Sequence, residues 1–241
     1  MEEKFTKLLP DQLTDLIDEI ENFSGKEIAV QPFSHPVSPT DPNPQAMGCA
    51  VSENRATIYY RNGNLNAHGF AHELLHIQRW WVEGIPQVLP NSRSAPSNVG
   101  VTSEIENSLE HLTIVPLESQ FGFEPYEYWN STARANWNRF DAAALDKFSL
   151  RKVCLLGWLT IESLVTDEKV KRMAESKISS ARLLQEAKLF RTKINKYRKA
   201  KEKQIAATVH FLHIPKTQVE IVYFNVRNGT KFVKPVPKFK G

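Results

Sequence analysis

Apolar residues recur at helical spacing near the start of the chain. Leu13, Leu16, Ile17 and Ile20 mark one face of a helix over residues 11–22, which Ser24-Gly25 closes. Residues 27–33 (EIAVQPF) read as a strand, and 49–52 and 56–60 (ATIYY) as two more joined by a polar turn at Glu53-Asn54-Arg55. Between them lies a proline-rich loop over 34–47, long enough to border a site. The run 67–82 has no proline and is apolar at Phe70, Ala71, Leu74, Leu75 and Ile77, so it predicts a mostly buried helix, with Asn64 or Asn66 as its cap. A loop over 84–99 carries Pro86, Pro90 and Pro96. Ile105, Leu109 and Leu112 then set the core side of a helix over 103–112 that runs on towards Pro116. Helices follow at 132–148 and 151–164, and one long basic helix at 168–207. The tail 219–233 reads as a hairpin turning at Asn228-Gly229. The pattern predicts an α+β, mostly helical fold. Residues 1–125 are expected to form one domain, with a small antiparallel sheet beside the 67–82 helix. Residues 126–241 form a helical C-terminal region ending in the hairpin.

The buried helix carries His72-Glu73-Leu74-Leu75-His76, an H-E-x-x-H motif. Histidines four apart lie on one helical face, about 6 Å apart along the axis, so both imidazoles can reach one ion. The glutamate beside the first stands where it can deprotonate a metal-bound water, the pattern of a zinc peptidase. Residue frequencies give such a string by chance in roughly one per cent of chains this long, and a histidine pair on an apolar helix needs a partner. His68 extends the series by one turn, too far from His76 for both to hold one ion, and reads as a surface or supporting residue.

A catalytic zinc needs a third protein ligand and an open position. Six residues past the motif, where one class of zinc peptidases has a third histidine, stands Val82. The 103–112 helix offers Glu104, Glu106, Glu110, Asn107 and His111 instead. On a helical wheel, Glu106 lies about 100° and Glu110 about 140° from Ile105, so these two share a face, with His111 on the opposite flank. Glu110 is the expected third ligand, Glu106 the next and His111 the third. His111 is equally a candidate donor to a developing oxyanion.

The order of elements, with His72-Glu73-x-x-His76 followed by the run from Glu106-Asn107 to Pro116, resembles the gluzincin branch of zinc peptidases. Over residues 10–122 it looks like the compact bacterial IrrE/ImmA-like metallopeptidases. The resemblance implies a zincin-like metallopeptidase domain over residues 1–125 and an intracellular enzyme, often one acting on a repressor or other regulatory protein. It also implies an edge strand before the active helix, here 55–60, that pairs with an extended substrate. The expected mechanism has His72, His76 and Glu110 holding Zn²⁺. Glu73 serves as general base, and His111, Tyr59 or Tyr60 faces the oxyanion.

Charge and composition adjust this picture. With 41% apolar residues and five tryptophans, 241 residues can bury a sizeable core. No apolar run approaches a membrane span, and Met-Glu-Glu-Lys-Phe is not the start of a secretory signal. Cys49 and Cys154 are far apart and read as small hydrophobes, so a reducing, cytoplasmic setting is expected. The net charge of +4 conceals 13 Lys/Arg against three Glu over 169–203, a local balance of +10 that leaves about −6 elsewhere. That stretch is either a solvated face or a surface for nucleic acid or an acidic protein. A non-catalytic, metal-bound sensor with a basic arm is therefore the alternative, and a toxin or host-defence protease a third reading. His210 and His213 read as ordinary helix-end histidines.

Overall fold

The computed structural model describes residues 9–33, 47–61, 65–91 and 97–239, which form an α+β, predominantly helical structure. The expected proline-rich loop lies outside these residues except for Met47, as does Asn64. The chain divides into two compact units. The first comprises Met1–Pro86, Leu117–Phe123 and Val222–Phe232; the second comprises Gln87–Pro116, Glu124–Ile221 and Val233–Gly241. Among the described residues, no helix is long and apolar enough to cross a membrane.

In the first unit, α1 (Asp11–Ser24) buries Leu13, Leu16, Ile17 and Ile20, as its spacing predicts. Gly25 ends it in the left-handed conformation (φ 66°), a geometry open to glycine, and its N–H donates to the Glu21 carbonyl at 2.8 Å. The Glu21 carboxylate accepts the N–H of Ile28 at 2.8 Å and so fixes the entry into β1 (Ile28–Pro32). The other strands are β2 (Gly48–Val51) and β3 (Ala56–Tyr60). Helix α2 (Ala67–Trp81) buries Phe70, Ala71, Leu74, Leu75, Ile77, Trp80 and Trp81. Each large apolar side chain so buried contributes about 1.5–3 kcal/mol. The Trp81 indole also donates to the Ser52 carbonyl at 2.9 Å, tying α2 to the end of β2.

This sheet corrects two expectations. It is mixed rather than antiparallel: β1 runs parallel to β3, from Ile28 opposite Ala56 to Pro32 opposite Tyr60, while β2 runs antiparallel to β3. The long connection from residue 33 to 55 gives the chain room to return in the same direction. The strand order is β1-β3-β2. The 55–60 segment is thus the centre of the sheet, with its backbone paired on both sides, and not an edge open to an extended peptide.

In the second unit, β4 (Gln87–Pro90) occupies part of the segment expected to be loop. Helix α3 (Ser97–Glu118), which belongs to this unit up to Pro116 and to the first unit beyond it, is longer than predicted and continues through Pro116. A proline there deprives the carbonyl four residues earlier of its helical partner. That carbonyl, Leu112, accepts a guanidinium N–H of Arg198 at 3.5 Å instead. Helices α4 (Tyr126–Arg139) and α5 (Lys147–Leu164) follow. The single basic helix expected at 168–207 is three: α6 (Glu168–Ser180), α7 (Leu184–Lys196) and α8 (Lys201–Phe211). The first break holds Arg182 in the left-handed region (φ 59°). Part of the basic charge is answered locally, by Lys188 with Glu175 at 2.7 Å and Arg191 with Glu162 at 3.5 Å. The C-terminal strands β5 (Val219–Asn225) and β6 (Thr230–Pro235), whose residues 222–225 and 230–232 are counted with the first unit, form with β4 a second sheet ordered β4-β5-β6.

Lys201 is buried with two carboxylates. Its ammonium donates to Glu106 Oε1 at 3.0 Å and to Glu110 Oε1, while Glu106 Oε2 accepts the N–H of Val88 at 2.9 Å. Burial raises the Glu106 pKa against the pull of Lys201. Removing the cation leaves two carboxylates stranded in the core, which costs about 3–5 kcal/mol. Urea unfolding of Lys201→Met is expected to show a loss of that size, and a loss below about 1 kcal/mol would contradict this account of the second unit.

Candidate metal centre

Helix α2 begins where the Asn66 side chain accepts the N–H of Gly69 at 2.7 Å. From that start His68, His72 and His76 follow one another at single-turn intervals along one side. The His72 and His76 rings meet edge to face with centroids 5.0 Å apart, and the His76 ring stacks on Trp80 at 4.9 Å. His76 and Glu73 are buried, at 3% and 7% exposure, so neither is a solvated helix charge.

The residue that organises this side of the helix is Glu118, at the end of α3 and in the same unit. His72 Nδ1 donates to its Oε1 at 2.6 Å, and His68 Nε2 donates to its Oε2 at 2.6 Å. The His68 ring also stacks on Phe123 at 4.9 Å. Burial works to raise the Glu118 pKa, but the two imidazole donors outweigh it and hold the carboxyl below its ordinary value. For His72, burial works downward and is outweighed by the bond to Glu118 and the charges of Glu73 and Glu118, so its pKa is raised. An ionised carboxylate on Nδ1 fixes the tautomer: the proton sits on Nδ1, and Nε2 presents its lone pair.

Glu73 has a different environment. The Cys49 thiol and backbone N–H hydrogen-bond to its carboxylate, yet burial dominates and raises its pKa. The same burial, with the charge of Glu73, pushes the Cys49 thiol well above its usual value. Cys49 is therefore a hydrogen-bond donor to the motif glutamate rather than only a small hydrophobe. Cys154, in the second unit, is buried and raised to about 11.

The remaining sequence candidates lie as follows. Glu110 is fully buried on Lys201, and Glu106 shares that partner. His111, on the other flank of α3, sets its ring edge to face with Trp129 at 5.0 Å. Tyr59 stacks on Phe33 at 5.6 Å. His210 lies against Phe239 at 5.1 Å, and His213 occupies the left-handed turn that ends α8. Glu118 and Cys49 were not sequence candidates. Glu118 is hidden by Pro116, which reads as a helix end, although histidines four apart do call for a carboxylate able to reach both. No family model, no curated protein and no solved structure matches this chain.

The two shifts give the chelator-treated protein a pH signature. Glu118, depressed below its unfolded value of about 4.3, contributes stability above that pH, and the contribution is lost as pH falls through the folded value. His72, raised above about 6.5, contributes fully below that pH and loses its contribution as pH rises through the folded value. The gap in Tm between wild type and Glu118→Gln should be widest between about pH 4.5 and 6.5 and narrow on both sides. A gap that does not vary with pH would contradict the assignment.

Proposed function

We propose that the chain is a zinc-dependent peptidase. The observation that carries this reading is the pairing of His72 Nδ1 with the buried Glu118 carboxylate, one residue from a buried glutamate and one turn from a buried histidine. The Glu118 carboxylate on Nδ1 keeps the proton on that nitrogen. A metal ligand needs that tautomer and an anionic partner to strengthen it.

The donor set suits zinc, which binds imidazole nitrogen readily. In this reading His72 and His76 are two ligands. Glu110, expected from the sequence as the third, has its carboxylate engaged elsewhere. Glu110 and Glu106 are both held by Lys201. Bound zinc would supply Lewis-acid polarisation of the scissile carbonyl and would lower the pKa of a water towards ~7.

The chain's own residues supply the rest. Glu118 holds the His72 ring in orientation and balances the positive charge that a cation brings to it. Glu73, its pKa raised by burial, takes a proton from the water as that oxygen bonds to the carbonyl carbon. As the C–N bond breaks, Glu73 passes that proton to the departing nitrogen. The Cys49 thiol steadies the carboxylate in its charged form between the two transfers. A protein or peptide is the substrate.

Glu73→Gln is the decisive variant, because it keeps shape and removes basicity. Incubated with a mixed peptide library read by mass spectrometry, wild type should cleave. Glu73→Gln should retain zinc yet cleave at least ~10²-fold more slowly. A variant that cuts at the wild-type rate would overturn the mechanism.

A further inference from the structure

A cavity of about 490 Å³ opens in the second unit between α3, α4 and α5, and the residues that line it all belong to that unit. Its size lies in the range of sites that take small ligands. Trp129, Trp137 and Phe140, on or beside α4, give it aromatic walls. The Trp137 and Phe140 rings pack with centroids 5.1 Å apart, and the His111 ring meets Trp129 edge to face at 5.0 Å. The aromatic surface is therefore built before any ligand enters. Gly157 serves the same end. Glycine inside a helix is unfavourable, but a Cβ here would stand 2.8 Å from the Trp137 ring, so glycine lets that ring lie directly on α5.

The polar part of the lining is neutral or neutralised. Glu104 and Lys152 bind each other at 2.7 Å, so an ion entering from water loses hydration without gaining either of them. Asn107 and Asn136 are exposed, and among the described residues their side-chain amides make no hydrogen bond to the protein. Each amide offers an acceptor and donors side by side. A flat ring gains burial and ring contacts against the tryptophans. A rim that pairs a donor with an acceptor gains the asparagines.

We propose that this cavity binds a small, uncharged heteroaromatic molecule that carries a donor and an acceptor side by side on its rim, as a carboxamide does. The ring lies among Trp129, Trp137 and Phe140, and the rim meets the amides of Asn107 and Asn136. Binding here needs neither zinc nor turnover, so it stands or falls apart from the peptidase reading.

Three compounds separate the ring from the charge. Nicotinamide is flat and uncharged and carries a carboxamide. Cyclohexanecarboxamide keeps the amide without the aromatic ring, and nicotinate keeps the ring but adds a negative charge. Each is titrated into the isotope-labelled, chelator-treated full chain while the indole N–H signals of the tryptophans are followed by NMR. Nicotinamide should shift the Trp129 and Trp137 signals saturably, with a Kd of about 1 mM for a fragment of that size. Trp80 and Trp81, in the first unit, serve as references. The other two compounds should bind at least tenfold more weakly. Thr160→Phe, which fills the cavity from α5, should weaken nicotinamide binding at least tenfold. Asn107→Leu combined with Asn136→Leu should do the same, and because both positions are exposed the fold tolerates the change. Circular dichroism checks folding, and if Thr160→Phe does not fold, the asparagine pair decides. Three results would each overturn the proposal: no saturable shift of either indole in wild type, equal binding of all three compounds, or nicotinamide binding untouched by the asparagine pair.

Discussion

A buried carboxylate cannot remain ionised without donors, and in this protein Glu118 finds them in two histidines of α2. The arrangement works in both directions. The imidazoles hold the carboxylate in its charged form, and the carboxylate dictates which nitrogen of His72 carries the proton. The tautomer required of a metal ligand thus follows from charge burial in the fold itself. Glu73, on the same helix, is under the opposite pressure: burial dominates and its pKa rises, which suits a group that must accept and then release a proton. Two buried carboxylates of one unit are driven apart in pKa by what surrounds them, and in the proposed reading this divides their roles into orientation and proton transfer.

The acidic residues of α3 show the same rule from the other side. Glu106 and Glu110 are also buried, and they answer that constraint with Lys201 rather than with histidine. A carboxylate closed off by an ammonium contributes to the core of the second unit and has little left to offer a cation. The basic stretch that looks from composition like a surface for an acidic partner contributes one of its charges to this core. Others pair with Glu175 and Glu162.

Much of this was legible in the sequence because one period governed it. The 3.6-residue spacing of Leu13, Leu16, Ile17 and Ile20 placed α1, and the motif spacing placed His72, Glu73 and His76 on one buried helix. The same periodicity set Glu106 and Glu110 on one face of α3 with His111 on the other flank. What escaped was what local pattern does not encode. Pro116 reads as a stop, but Arg198, 82 residues later, bonds the carbonyl that the proline strands, and the helix reaches Glu118. The partner of Glu110 is 91 residues away, beyond any window in which charge patterning operates. The parallel pairing of β1 with β3 depends on a long connection whose direction the strand pattern does not reveal. Cys49 reads as a small hydrophobe until the strand that carries it is seen to set its thiol on Glu73.

In the proposed reading a zinc ion is held by imidazoles that a buried carboxylate orients from behind. X-ray absorption at the zinc edge, on protein loaded with one equivalent of the metal, tests it most directly. Nitrogen or oxygen neighbours are expected at about 2.0–2.1 Å, with the outer-shell scattering of two imidazoles in wild type, falling to one in His76→Ala. A spectrum without imidazole scattering, or one unchanged in His76→Ala, would contradict the ligand set, and a protein that takes up no zinc would contradict metal binding altogether.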